Sequence, residues 1–293
     1  MKKFTALLLA FILMFSFAAC GSEKSDDADK AEEQKGNSSG NKITFTEMVV
    51  VDNAECSIKI TGIEVDDIWG YSLKTTVENK SSSKNYMFTV DNGAINGIEC
   101  SPIFASDVAP GKKANDSISF AVEELEKNGI TDFTDIELHF RVYDNNDWTA
   151  EDVVTEVVHV YPFGQEKATK FVRQSKSTDK VIFDNDKVTA IVTGYEKDEI
   201  WGYTANVYLV NKTNTRVMFS VDDSSVNGYM VDPFFANSVE AGKSEFVKIT
   251  WSNDELENNN ISKVNEIELT LRAYNDETWG SDDFANQKVT LNP

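Results

Sequence analysis

Apolar and polar residues alternate with a period of two through much of the chain. Cys56, Ile58 and Ile60 alternate with polar neighbours, as do Ile118, Phe120 and Val122, and Ile136, Leu138, Phe140 and Val142; Ile267, Leu269 and Leu271 repeat the last run. Successive strand residues point to opposite faces, so this spacing predicts strands that bury one face. Turn-forming residues separate the runs at Asn96-Gly97, Pro110-Gly111, Asp144-Asn145-Asn146, Asn227-Gly228 and Ala241-Gly242. Glu123 to Asn128, stopped by Gly129, predicts one short helix, and Asp254 to Asn259 is its counterpart.

The counterpart is no accident, because most of the chain is written twice. Asp66-Asp67-Ile68-Trp69-Gly70-Tyr71 returns as Asp198-Glu199-Ile200-Trp201-Gly202-Tyr203. Around it, Asp52-Asn53 matches Asp184-Asn185, Thr61-Gly62 matches Thr193-Gly194, and Asn79-Lys80 matches Asn211-Lys212. After a one-residue deletion, Asn96-Gly97 matches Asn227-Gly228, Gly111-Lys112 matches Gly242-Lys243, and Arg141 matches Arg272. So long a period indicates duplicated domains rather than a solenoid. Seven or so short strands per copy with one short crossover helix predict an all-β fold: two tandem immunoglobulin-like β-sandwich domains, with an open barrel as the alternative. The expected copies are 43–162 and 181–293, joined by a basic linker, 163–180, that could lie against either body or remain solvated.

Ahead of the repeats, Met1-Lys2-Lys3 precedes an apolar run from Leu7 to Phe17, small residues Ala18-Ala19, and Cys20. Charge, apolar core and small residues in that order mark a secretory signal too short to span a bilayer. With Cys20 at its end, this stretch, 1–20, resembles the lipobox of bacterial lipoproteins, although Phe17 stands where the family most often has Leu. The resemblance implies a diacylglycerol on Cys20, and hence a protein held on the extracytoplasmic face of the cell membrane. Residues 21–42 are acidic and polar, with no aromatic or β-branched residue, and predict a disordered tether. Tandem modules behind such an anchor are similar to surface lipoproteins of Gram-positive bacteria that carry immunoglobulin-like domains of unknown function.

Composition narrows the partners. With 41% hydrophobic and 26% charged residues the chain is globular. Its 49 acidic against 28 basic residues, a net charge of −21, repel phosphate backbones and argue against nucleic acid. Neither a phosphate-binding loop nor a hydrolase or metalloprotease motif is present. His139 and His159 become Thr270 and Thr290 in the second copy, so they read as half-exposed strand residues rather than a catalytic base or metal ligand. Cys56 and Cys100 become Val188 and Val231 together. They read either as a disulfide, worth about 3–4 kcal/mol in the loop-entropy model, or as two separately packed apolar residues. Asp144 and Asp147 offer oxygen ligands to calcium but lack the Gly and distal Glu of an EF-hand loop, and also read as an Asx-rich turn.

Alternation places Trp69 and Trp201 on the core face of their strands. If that strand is the third of its sandwich, the loop before it shares an end with the last hairpin. One tip would then gather Asp66, Asp67, Asp144, Asp147 and Trp148, and the other Asp198, Glu199, Asp276, Glu277 and Trp279. An aromatic platform ringed by carboxylates suits a cell-surface glycan or a basic protein segment. The expectation is a non-enzymatic, lipid-anchored binding or scaffolding protein. A carboxylate-dependent hydrolase and an accessory solute-capturing lipoprotein are the alternatives.

Overall fold

The computed structural model describes residues 45–66, 70–147, 149–278 and 282–293, with the side chain of Asp66 excepted. Cys20, the stretch 21–42 expected to be a tether, and Asp67, Trp69, Trp148 and Trp279 lie outside the described residues. The first copy contributes β1 (Met48–Asp52), β2 (Cys56–Asp66), β3 (Gly70–Asn79), β4 (Tyr86–Ile95), β5 (Ile98–Cys100), β6 (Pro102–Ile103), β7 (Ala105–Val108), β8 (Lys113–Phe120), α1 (Glu123–Lys127), β9 (Ile136–Asp144) and β10 (Val154–Val160). The second contributes β11 (Lys180–Asp184), β12 (Val188–Asp198), β13 (Gly202–Asn211), β14 (Val217–Val226), β15 (Tyr229–Met230), β16 (Ala236–Val239), β17 (Ser244–Trp251), α2 (Asn253–Asn258), β18 (Ile267–Asn275) and β19 (Ala285–Leu291).

The fold is all-β, as the alternation predicts. In the first copy the sheet β1-β2-β3-β8-β6 packs against β10-β9-β4, with β5 and β7 also paired to β4. In the second, β11-β12-β13-β17 packs against β15-β14-β18-β19, with β16 paired to β14. Each copy has its own hydrophobic core. Ile58, Leu73, Phe88, Ile118 and Phe140 fill the first, and Ala190, Val207, Phe219, Ile249 and Leu269 the second. The two are not separate beads. β5 runs parallel to β17, with Ile98 opposite Ser244, and this pairing fuses one sheet of each copy into a single nine-stranded sheet.

The motifs written twice are the brackets of the fold. Asn79 Nδ2 donates to the carbonyls of Lys84 and Val108 at 2.8 and 2.7 Å, and Asn211 Nδ2 does the same to Thr215 and Val239 at 2.7 and 2.9 Å. Lys80 pairs with Asp52, and Lys212 with Asp184. Asn53 and Asn185 cap their turns by accepting two backbone N–H groups each. Thr61-Gly62 and Thr193-Gly194 mark a shift of register, a β-bulge, in β2 and β12. Arg141 holds Asp152 by two hydrogen bonds, and Arg272 holds Asp283 in the same way. Leu125 and Leu256 are the buried residues of the two short helices. Repetition here records what each sandwich needs to close.

The linker is not a solvated spacer. Phe171 N–H donates to the Asn96 carbonyl at 2.8 Å, and the Phe171 ring meets Phe246 edge-on. Arg173 and Asp179 form a buried bidentate ion pair at 2.7 Å, with the guanidinium over the Tyr208 ring. The segment therefore packs against both copies.

Candidate functional site

The two expected tips do not form. β13 begins at Gly202, next to Asp198, and ends at Asn211; β14 starts at Val217, opposite Asn275. The Asp198–Glu199 turn and the Asp276–Glu277 turn are thus separated by the length of a ten-residue strand, roughly 30 Å at about 3.3 Å per residue. In the first copy the backbone at Asp66 lies opposite Gly70, whereas Asp144 lies opposite Tyr86, at the far end. The reason is the sheet the strand joins. β3 and β13 are third in chain order, but they pair with β8 and β17, whereas β4 and β14 pair with the strands of the last hairpin, so the loop entering β3 or β13 sits at the end away from that hairpin. The 80–85 segment takes the predicted place, with Asn145 N–H donating to the Asn85 carbonyl at 2.8 Å.

Several acidic residues of the supposed tips already have partners, in their own turns or on adjoining strands. Asp144 accepts the Asn146 N–H, and Asp147 accepts both the N–H and the hydroxyl of Thr149, which hold its carboxyl below the usual range. Asp276 accepts from Ser238 Oγ and Arg216 Nε at 2.8 and 2.7 Å. Asp198 accepts the N–H groups of Ile200 and Trp201, while Asn253 Nδ2 donates to the Glu199 carbonyl. Among the described residues no cluster of three or more metal-ligating side chains is assembled.

Trp201 also departs from expectation. It is 71% exposed rather than buried. Gly202 has φ = 121°, and a Cβ there would run into the Trp251 carbonyl oxygen. That left-handed turn belongs to glycine, and it breaks the alternation that would otherwise send the tryptophan inward. Among the described residues the core tryptophan is Trp251 instead, fully buried and donating Nε1–H to Ser224 Oγ at 2.9 Å.

Turned outward, Trp201 lines an open groove of about 620 Å³ with Asp232, Pro233, Phe234, Lys248, Thr250 and Glu255. Phe234 is 96% exposed, and the neighbouring turn residue Ile200 is 78% exposed. The Phe234 N–H donates to the Thr250 carbonyl at 3.2 Å, which fixes this floor to β17. Large apolar side chains exposed together beside a strand are what a binding surface presents. The sequence offered one signal for it that alternation concealed, the glycine directly after the tryptophan.

A second constellation was missed outright. Where β5 meets β17, the Glu99 carboxylate accepts from Asn92 Nδ2 at 2.9 Å and from the Glu240 N–H at 3.2 Å. Burial raises its pKa. Glu245, bonded to Asn237 Nδ2 at 2.6 Å, is pushed up to about 7, first by burial and then by the nearby Glu99 charge. Glu137 goes the other way: burial opposes its charge, but hydrogen bonds from His139 and Lys243 outweigh that and bring it to about 2. Its hydrogen bond in turn raises His139. His159 meets Asp135 at 2.7 Å and stacks on Tyr161. The half-exposed histidines thus belong to the polar border of the joint.

The cysteines do not bridge. Cys56 faces Asn79 at one end of β2, whereas Cys100 faces Gly93 near the other end of the opposing sheet. Both thiols are free, and burial pushes them up to about 11 and about 12. Seven residues of β4 separate the level of Tyr86 from that of Gly93, more than about 20 Å, well beyond the reach of a disulfide. They are two separately packed residues.

No family model matches the chain, and no curated protein matches it. Among solved structures, red sea bream transglutaminase aligns at 11% identity with a TM-score of 0.25, over 83% of this chain and 31% of that one. A protein of unknown function from Porphyromonas gingivalis aligns at 11% identity with a TM-score of 0.19, over 84% and 98%. Amycolatopsis orientalis exo-chitosanase aligns at 13% identity with a TM-score of 0.21, over 79% and 26%. The chain thus spans about a third or less of the transglutaminase and the chitosanase.

Proposed function

We propose that the protein is a lipid-anchored, extracytoplasmic binding or scaffolding protein, built of two immunoglobulin-like modules and acting by binding rather than catalysis. The ordered charge, apolar run and Cys20 of the leader support the anchor. The strand order supports the module type: β1-β2-β3-β8-β6 faces β4-β9-β10, as the four-strand sheet faces the three-strand sheet of an immunoglobulin domain, with β1 added at the edge of the first. The observation that carries the binding function is the open groove of Trp201 and Phe234. Its ligand is a cell-wall glycan or a surface protein.

The test has two arms. Cys20→Ser should release the protein from the membrane fraction; retention there would reject the anchor. Separately, the chain from residue 20 bearing Cys20→Ser is screened on a glycan array and on cell-wall preparations, alone and with Trp201→Ala and Phe234→Ala together. Loss of binding in the double variant is expected. Binding unchanged by it would remove the groove as the site.

A further inference from the structure

The joint between the copies is made by particular positions, and each has a counterpart in the other copy. Ser244 N–H donates to the Gly97 carbonyl at 3.2 Å, Ile98 lies opposite Ser244, and the Lys243 ammonium pairs with Glu137. The hairpin that docks is Asn96-Gly97, with φ of 52° and 82°. Asn96 stiffens it by accepting the N–H groups of Thr134 and Asp135 and donating to the Asp132 carbonyl.

The second copy builds the same hairpin and leaves it open. Asn227 and Gly228 have φ of 51° and 82°. Asn227 accepts the N–H groups of Asn265 and Glu266 and donates to the Lys263 carbonyl. Where Ile98 and Glu99 are buried in the joint, their counterparts Tyr229 and Met230 are 53% and 68% exposed. The receiving edge has its counterpart as well. β8 in the first copy corresponds to β17, and it pairs with β6 only at Phe120 and Ser119. Lys113 at its start and Lys112 just before it are exposed.

The substitutions between the two sets are concerted. The ion pair Lys243–Glu137 is kept as Lys112 and Glu268. The three carboxylates of the joint, Glu99, Glu240 and Glu245, become Met230, Ala109 and Ala114. All three acids are replaced by apolar side chains, although two lie on the receiving edge and one on the docking hairpin. The aromatic face covered by the linker, Tyr208 and Phe246, becomes Thr76 and Asn115, so the second contact lacks that layer and is weaker than the joint.

We propose that a second copy of this chain docks head to tail, with the Asn227-Gly228 hairpin of one molecule on the β8 edge of the next. The contact would repeat the geometry by which the two copies within one chain already meet. Such a heterologous contact uses different surfaces on the two partners, so it propagates into open rows unless the rotation happens to close. Each molecule carries a net charge of −21, so partners repel at low ionic strength and association strengthens as salt screens them.

Sedimentation equilibrium of the chain from residue 20, bearing Cys20→Ser, tests this over a wide concentration range at low and high salt. The average mass should rise with concentration, and more steeply at high salt. Met230→Glu places a carboxylate against two alanines and should return the protein to a monomer. Lys112→Glu should weaken association several-fold, and adding Glu268→Lys should restore it. Circular dichroism and melting of each variant establish that it is folded. A monomer at every concentration and salt would overturn the proposal, as would association indifferent to both Met230→Glu and Lys112→Glu.

Discussion

Replacing Glu245 by Gln should stabilise the protein above neutral pH and have almost no effect in mild acid. The folded protein holds this carboxyl at about 7, against an ordinary value of 4.5, because it is partly buried, withdrawn from water beside Glu99 where β5 meets β17. The folded state therefore keeps a proton that the unfolded chain gives up. Its stability is undiminished below about pH 4 and falls as pH rises toward 7, where the folded group finally ionises. A tenfold change in proton affinity is worth about 1.4 kcal/mol, so the cost reaches about 3 kcal/mol by pH 8. Gln retains an oxygen to accept from Asn237 Nδ2 and removes the ionisation. Urea unfolding of wild type and Glu245→Gln at about pH 4, 6 and 8 measures the difference directly. The gap should open between the first and last of these and favour the variant by up to about 3 kcal/mol. A gap that does not change with pH, or a variant less stable at pH 8, would refute the reasoning.

Other perturbations address neighbouring parts of the structure. Glu137 is held at about 2 despite its burial, so Glu137→Gln should destabilise the protein at neutral pH and progressively less as pH falls from about 4.5 toward 2, read by the same unfolding series. Arg173→Ala strands the buried Asp179 and should cost about 3–5 kcal/mol in urea. Asn79→Ala leaves the carbonyls of Lys84 and Val108 without their donor and should cost about 1–3 kcal/mol, as Asn211→Ala should in the second copy. In the denatured chain bearing Cys20→Ser, a thiol titration should find both Cys56 and Cys100 reactive; their absence from the count would establish a disulfide.

The sandwich strands and both short helices were legible because one face of each element is buried, and burial leaves a period in the sequence. Location along a strand was less legible. Alternation says which face a residue occupies but not whether a left-handed glycine has just reset it, and Gly202 turned Trp201 from core to solvent in that way. The tips failed for a topological reason: counting strands from a sequence leaves open which sheet each one joins, and a strand in the other sheet moves its loop to the opposite end. The joint left a trace that was there to be read. Thr76 becomes Tyr208, Asn115 becomes Phe246, and Lys59 becomes Ile191, so polar positions of one copy turn apolar in the other along a single sheet. Positions kept in both copies describe the sandwich; positions that differ describe what each sandwich touches.

That the two copies meet in a fixed joint is the claim on which the rest stands. Amide hydrogen exchange at Ser244 and Phe171 tests it most directly, because the Ser244 N–H donates across the joint to the Gly97 carbonyl, and the Phe171 N–H, in the linker packed against both copies, donates to the Asn96 carbonyl. Both amides should be protected nearly as strongly as those of the core strands, opening only with sub-global unfolding. Exchange of both at the rate of an exposed loop, with the cores still protected, would contradict it: the copies would then be independent bodies on a tether.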